Sequence, residues 1–245
     1  MKPIGSVISL KAETHNFPTT VEPSGGAATG MGGEIRDRMG GGTGSWPVAG
    51  TAVYITSYPP LALGGGERSV EKWEKMLPVR QWLYQTPAQI LIKASNGASD
   101  FGNKFGQPLI CGSVLTLEHQ GGTEQYGYDK VIMLAGGVGY GTKRDCLKGT
   151  PSAGDQIVVV GGDNYRIGLG GCSVSSVETG RYSSGIELNA VQRVHPEMQK
   201  RGYNLVRALC EEEVNPVVSI HDHGSAGHVN CLSELVEEVC RRSGC

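Results

Sequence analysis

Gly25-Gly26-Ala27-Ala28-Thr29-Gly30-Met31-Gly32-Gly33-Glu34-Ile35-Arg36-Asp37 is the stretch on which the reading of the fold turns. Side chains this small let successive backbone N–H groups converge on phosphate oxygens without obstruction. Arg36 adds a forked donor for phosphate, and Asp37 a hard oxygen ligand for Mg²⁺. On this reading the stretch is a glycine-rich phosphate loop set between apolar, strand-like runs at Ile4–Leu10 and Ala52–Ile55. A flexible loop with no ligand would explain the glycines but not the abrupt Glu-Ile-Arg-Asp that ends them.

Just upstream lies Lys11-Ala12-Glu13-Thr14-His15-Asn16. Alternate residues of a strand share a face, so a strand here would point Lys11, Glu13 and His15 the same way. A cation, a carboxylate and an imidazole would then line the end of an apolar run. A surface strand with an incidental histidine would show the same residues. Magnesium keeps several waters and takes few carboxylates, so Glu13, Asp37 and one later acid would suffice for it.

That later acid is Asp222, in Ile220-His221-Asp222-His223-Gly224-Ser225-Ala226-Gly227-His228. Three histidines and an aspartate also invite a zinc reading, but no second ligand cluster is evident. An aspartate at a strand end before Gly-Ser-Ala-Gly fits a metal–phosphate corner better.

Elsewhere the chain alternates helical and strand-like patterns. Ser69–Met76 reads as a capped helix, Ala88–Ile92 as a buried run, and Val131–Ala135 as a strand stopping in a tight turn at Gly136-Gly137. Gly149-Thr150-Pro151 marks a subdomain boundary, dividing 1–149 from 150–245. Beyond it, Gln156–Val160 and Val217–Ile220 read as strands. Residues 187–213 and Leu232–Val239 have helical spacing. The expected fold class is therefore α+β (mixed α/β), with polar, glycine-rich segments at strand ends, where such proteins bind ligands. Gly136–Lys143 fails the P-loop template, and Gly161–Gly171 lacks the dinucleotide-binding spacing.

Composition narrows the function classes. Glycine makes up 38 of 245 residues, roughly twice the usual ~7%, which also suits a turn-rich β protein. A net charge of −2 argues against nucleic-acid binding, and no apolar run is long enough for a membrane span. Seven cysteines without a Cys-x-x-Cys pair speak against a disulfide framework or structural zinc and lead to an expected cytoplasmic location.

Taken together, Lys11–Asn16 with Pro18-Thr19, Gly26–Asp37, Ser95–Gly106, Lys130–Gly139, Gly161–Gly171, Ala190–Arg193 and Ile220–Gly227 resemble, in the same order, the formylglycinamidine ribonucleotide amidotransferase family. The likeness is nearest to its large single-chain form and covers nearly the whole chain. It implies an aminoimidazole ribonucleotide synthetase-like N-terminal subdomain, whose strands help build a shared β-barrel, followed by the start of the C-terminal subdomain. The implied activity is ATP-dependent amidation of formylglycinamide ribonucleotide through an iminophosphate, with ammonia drawn from glutamine.

Position by position, the resemblance makes Lys11 an ATP contact and His15 the proton acceptor. Thr14, His15, Asn16, Arg36 and Gln192 become substrate contacts, and Glu13, Asp37 and Asp222 magnesium ligands. Gly26, Ala27, Ala28, Thr29, Gly30, Met31, Gly32, Gly33, Glu34, Ile35, Arg36 and Asp37, with Cys111, Gly112 and Ser113, match stretches that line the ATP site. Phe17 departs from the family, many of whose members have a second histidine there. No cysteine sits in a Gly-x-Cys-x-Gly elbow, so the glutaminase is expected to be absent from this chain. The ending Val239–Cys245 also leaves the family pattern, which implies a frameshifted or truncated product. Such a fragment is expected to be inactive alone and to dimerise through an incomplete barrel. A nucleotide-holding half-module without catalysis is the other role the family offers.

Overall fold

In a computed structural model of the chain, residues 3–59, 71–77, 85–162, 172–224 and 227–243 are described. Among them the strands are β1 (Ser6–Thr14), β2 (Trp46–Thr56), β3 (Leu109–Thr116), β4 (Glu118–Gly121), β5 (Glu124–Gly127) and β6 (Ile132–Thr142). The helices are α1 (Asn16–Val21), α2 (Pro23–Met39), α3 (Pro87–Phe105), α4 (Cys172–Ser175), α5 (Ser184–Leu188), α6 (Pro196–Glu211) and α7 (Gly227–Ser243), with a single 3₁₀ turn at Glu74–Met76. This is the mixed α and β composition expected. A four-stranded sheet runs β1-β6-β2-β3, antiparallel except for the parallel β2–β3 pair, and β4–β5 form a separate hairpin.

The decisive stretch is not a loop. It lies wholly within α2, which begins at Pro23, a residue whose fixed φ suits the first helical turn. The side chain of Glu22 accepts from Gly25 N–H at that end. Five of the 17 residues of α2 are glycine, a helix-weakening composition that packing overrides. A Cβ on Gly26 would lie 2.3 Å from the carbonyl of Pro18, and one on Gly97 of α3 would lie 2.0 Å from the carbonyl oxygen of Ser24. The glycines are bare because backbones touch there. The close approach buries Ala27, Ala28, Met31 and Ile35 of α2 against Ala94, Ala98, Phe101 and Phe105 of α3 and against Ala52, Tyr54, Met133 and Ala135 of the sheet.

The buried run read at Ala88–Ile92 is the start of α3. Thr86 and Gln89 form a reciprocal capping box with Pro87 at the first helical position. Ile90, Leu91, Ala94, Ala98, Phe101 and Phe105 then recur at helical spacing along the buried side.

The strand read at Val131–Ala135 does not turn at Gly136-Gly137 but continues to Thr142. Its glycines leave room for Arg38. A Cβ at Gly137 would stand 2.6 Å from Arg38 Nη2, and one at Gly139 would stand 3.2 Å from Nη1. The Arg38 guanidinium lies buried beneath the strand, donating to Glu34 Oε2 (Nε at 2.8 Å), to Gln107 Oε1 and to the carbonyl of Val138. Gln107 also donates to the other oxygen of Glu34, so the pair is both charge-balanced and hydrogen-bonded. Burial still pushes the Glu34 carboxyl up and the Arg38 guanidinium down from their ordinary values.

The C-terminal part departs further from expectation. Gln156–Val160 is not a buried strand: it is in no sheet, and Ile157, Val158, Val159 and Val160 are exposed. Val217–Ile220 likewise has no strand partner among the described residues. An apolar run becomes a buried strand only against a partner, and none of the described residues supplies one. The helical region at 187–213 resolves into the end of α5, a connection and α6, while Leu232–Val239 falls inside α7. Of the expected Ser69–Met76 helix, residues 71–76 are described and form only the 3₁₀ turn Glu74–Met76; most of Gly161–Gly171 lies outside the described residues. No described helix is long and apolar enough to cross a membrane.

Candidate active site

β1 pairs antiparallel with β6 and sets Lys11 opposite Gly137 and Glu13 opposite Ala135. Both side chains point to the face that α2 covers, while Ile8, Leu10, Ala12 and Thr14 point to the other. Asp37, near the end of α2, meets them there. Lys11 Nζ is 2.7 Å from Asp37 Oδ2 and 3.8 Å from Glu13 Oε2. The hydrogen bond to Asp37 is the main reason the Lys11 ammonium is held above its usual value.

Glu13 is pushed up to about 7, first by burial and then by its hydrogen bond to Asp37 and that carboxylate's charge. Asp222 is raised for the same reasons, with Arg36 and His221 pulling it back down. Three carboxylates thus converge from β1, α2 and the segment after Ile220, and the charge of Asp37 makes ionisation of Glu13 and Asp222 harder. Mutual repulsion of this kind is what a bound cation relieves. Among the described residues no three such side chains already stand at ligating spacing, and Lys11 holds Asp37 in their place.

Arg36 projects beside this cluster. Nη1 donates to Gln199 Oε1 at 3.1 Å, and Nη2 donates to Gln192 Oε1. Burial lowers its basicity, while Asp222, Asp37 and Glu13 oppose that. The guanidinium remains a cation, as arginine does in proteins. A Cβ at Gly33 would fall 3.7 Å from Arg36 Nη2 and 3.8 Å from Glu13 Oε2, so this helix turn is where the two side chains converge.

His15 does not extend the strand face shared by Lys11 and Glu13. β1 has ended, and His15 is the N-cap of α1. Its Nδ1 is 2.6 Å from the carbonyl oxygen of Gly26. That oxygen can only accept, so Nδ1 carries the proton and Nε2 keeps the free lone pair. Burial, chiefly, pushes the imidazole down to about 4. His15 is therefore neutral near pH 7, with one nitrogen able to take a proton.

Other expected site residues are placed differently. Asn16 Oδ1 accepts from the backbone N–H of Met133 at 3.0 Å, anchoring α1 to β6. Thr14 faces the opposite side of the sheet from Lys11 and Glu13. Ala27, Ala28, Thr29, Met31, Glu34 and Ile35 are turned into the core. Because Gly26–Asp37 is helical, its amides serve the helix ladder and do not converge on a ligand. Gly26, Gly30 and Gly32 are close-packing positions; a Cβ at Gly30 would lie 3.0 Å from His15 Cβ. Cys111, Gly112 and Ser113 lie on β3, at the far edge of the sheet from β1, roughly 14 Å away at the usual strand spacing. Gln199, which sequence reasoning missed, looks like any polar residue in the first turn of an amphipathic helix.

The comparisons bear on this arrangement. Residues 152–240 match the model of the AIR synthase related protein, C-terminal domain. Over 97% of its length the chain is 41% identical to phosphoribosylformylglycinamidine synthase of Drosophila melanogaster, and over 93% of its length it is 41% identical to that of Homo sapiens. The chain is a homologue of one segment of the phosphoribosylformylglycinamidine synthases. It spans 18% and 17% of those two proteins' lengths. The fold agrees with Thermotoga maritima PurL complexed with FGAR at a TM-score of 0.64 and 23% identity, covering 95% of this chain and 32% of that one. PurL complexed with ATP gives a TM-score of 0.58 at 21% identity, over 95% of this chain and 30% of that one.

Proposed function

We propose that the chain carries the ATP- and amide-handling residues of the reaction that converts formylglycinamide ribonucleotide, ATP and glutamine to formylglycinamidine ribonucleotide, ADP, phosphate and glutamate. The observation that carries this reading is the junction of Lys11, Glu13, Asp37 and Asp222 with Arg36 and a neutral His15. Solved PurL structures of the same fold hold ATP and FGAR.

In the proposed reaction the amide oxygen of the substrate takes the γ-phosphoryl group of ATP, and ADP departs. Ammonia then attacks the imino carbon, phosphate leaves, and the nitrogen sheds a proton. His15 Nε2 is the acceptor for that proton. Arg36 and Lys11 stabilise charge on the transferring phosphoryl group by position alone, without reorganising. The carboxylates fit magnesium in donor type and number; the ion would be held by Glu13, Asp37 and Asp222 and would supply further charge neutralisation at the phosphates.

Ammonia release from glutamine belongs to a part of the synthase outside this chain, and the chain alone is expected to turn nothing over. The sheet face away from α2 carries exposed Ile8, Leu10, Leu115 and Tyr140. A second half-domain or a second copy covering that face would close a barrel.

The test is ATP- and ammonia-dependent turnover by the full-length synthase, with His15→Ala and Asp37→Asn beside it. Loss of a positioned proton acceptor should lower the rate on the order of 10²- to 10⁴-fold. Unchanged rates in both variants would leave at most a nucleotide-holding module.

A further inference from the structure

Arg36 is a partly buried guanidinium with no ion-pair partner among the described residues. Its two terminal nitrogens end on neutral amide oxygens, Nη1 on Gln199 and Nη2 on Gln192. Gln199 belongs to the first turns of α6, far along the chain from Arg36. Its own orientation is fixed from both ends, because Nε2 donates to the carbonyl oxygen of Gly32 at 2.9 Å while Oε1 accepts from Arg36. Neither contact survives an amide flip, since a carbonyl cannot donate and a guanidinium cannot accept.

Gly32 bears the mark of this arrangement. A Cβ there would stand 3.2 Å from Arg36 Nη1, 3.2 Å from Gln199 Oε1 and 2.9 Å from Phe101 Cζ. The hydrogen bond between α6 and α2 crosses directly over a bare helix position.

We propose that Gln199 is a positioning residue for the amidation, fixing the Arg36 guanidinium toward the anionic substrate without adding a further negative charge against it. A carboxylate at the same distance would hold the side chain equally well but would neutralise part of the charge that an anion must meet. An amide aligns one N–H without adding negative charge and leaves other donors of the fork for phosphoryl oxygens. Freed from Gln199, the long side chain could adopt other rotamers and would have to be ordered by the substrate itself. This proposal rests on the reading of Arg36 as a substrate contact given above.

The experiment is a double-mutant cycle in the full-length synthase, with kcat and KM for formylglycinamide ribonucleotide measured at saturating ATP and ammonia. Gln199→Leu, which keeps the bulk and removes both hydrogen bonds, should lower kcat/KM on the order of 10- to 100-fold. In an Arg36→Ala background the same substitution should have little further effect, because Gln199 acts through Arg36. Gln199→Glu keeps an acceptor for the guanidinium but pairs its charge and gives up the donor to Gly32, so it should recover only part of the loss. If Gln199→Leu folds poorly, Gln199→Glu and Gln199→Ala against Arg36→Ala complete the same cycle. Losses that simply multiply across the cycle, or a Gln199→Leu enzyme with unchanged kcat/KM, would overturn the proposal. An Arg36→Ala enzyme of normal kcat/KM would instead overturn the underlying site assignment.

Discussion

If Gly97 is bare because a backbone passes over it, adding one methyl group there must destabilise the fold even though it improves helix propensity. Gly97 lies in mid α3, where alanine is favoured over glycine by about 1 kcal/mol. Its Cβ, however, would lie 2.0 Å from the oxygen, 2.7 Å from the carbonyl carbon and 2.8 Å from the Cα of Ser24. All three are backbone atoms at the start of α2, so relief requires the two helices to separate. Overpacking in a filled core costs roughly 1–3 kcal/mol, and a backbone obstacle belongs at or above the upper end. After subtracting the propensity gain, Gly97→Ala should lose about 2 kcal/mol, a fall in Tm of roughly 4–8 °C for a chain of this size. Gly33→Ala is the internal control: it is also in a helix, but its nearest neighbours would be side-chain atoms at 3.7 and 3.8 Å. That substitution should be neutral or raise stability by up to about 1 kcal/mol. Thermal unfolding of the two variants beside the parent decides the matter. Equal, stabilising effects at both positions would mean that α2 and α3 do not meet as described.

The remaining predictions concern charge. Glu13, pushed up to about 7, keeps its proton in the folded site over a pH range in which a free carboxyl has lost it. Its stabilising contribution is therefore complete below the ordinary carboxylate value and is lost as pH rises through about 7. At the proposed site Mg²⁺ would have to displace that proton, so calorimetric Mg²⁺ affinity should rise with pH up to about 7 and level off above it, and Glu13→Gln should remove the dependence. Arg38→Met leaves the fully buried Glu34 carboxylate uncompensated and should cost about 3–5 kcal/mol in denaturant unfolding, most of it recovered by adding Glu34→Leu.

The charged residues of the site were legible because they interrupt patterns. Lys11, Glu13, Arg36, Asp37 and Asp222 stand at the ends of apolar or small-residue runs, and the structure brings them together. α2 was not legible. Its five glycines together cost about 4–5 kcal/mol of propensity relative to alanine, and no local rule announces that Gly26 faces the backbone of α1 or that Gly30 and Gly32 face the side chains of His15 and Phe101. The same blindness affects β6, whose glycines read as a turn until Arg38 is seen beneath them. Gln156–Val160 shows the converse. Its pattern is that of a strand, but pairing is a long-range property, and an apolar run carries no record of its partner.

The glycines still bear on the chemistry, though not by cradling phosphate. Helices with ordinary side chains at the contact pack with axes about 8–10 Å apart. Bare positions at Gly26 and Gly97 let α2 lie against α1 and α3 at backbone contact, and Gly30 lets it approach His15. Only with α2 seated this deeply does Asp37 come within 2.7 Å of Lys11 on β1, and only then does the carbonyl of Gly26 reach the imidazole of His15 at 2.6 Å. Substitution at Gly26, which has no side chain of its own to react, should therefore disturb His15 directly, by moving the carbonyl that fixes its tautomer. The small residues and the ionisable ones are two parts of one arrangement, in which close packing of the backbone sets the distances on which the proposed proton and phosphoryl transfers depend.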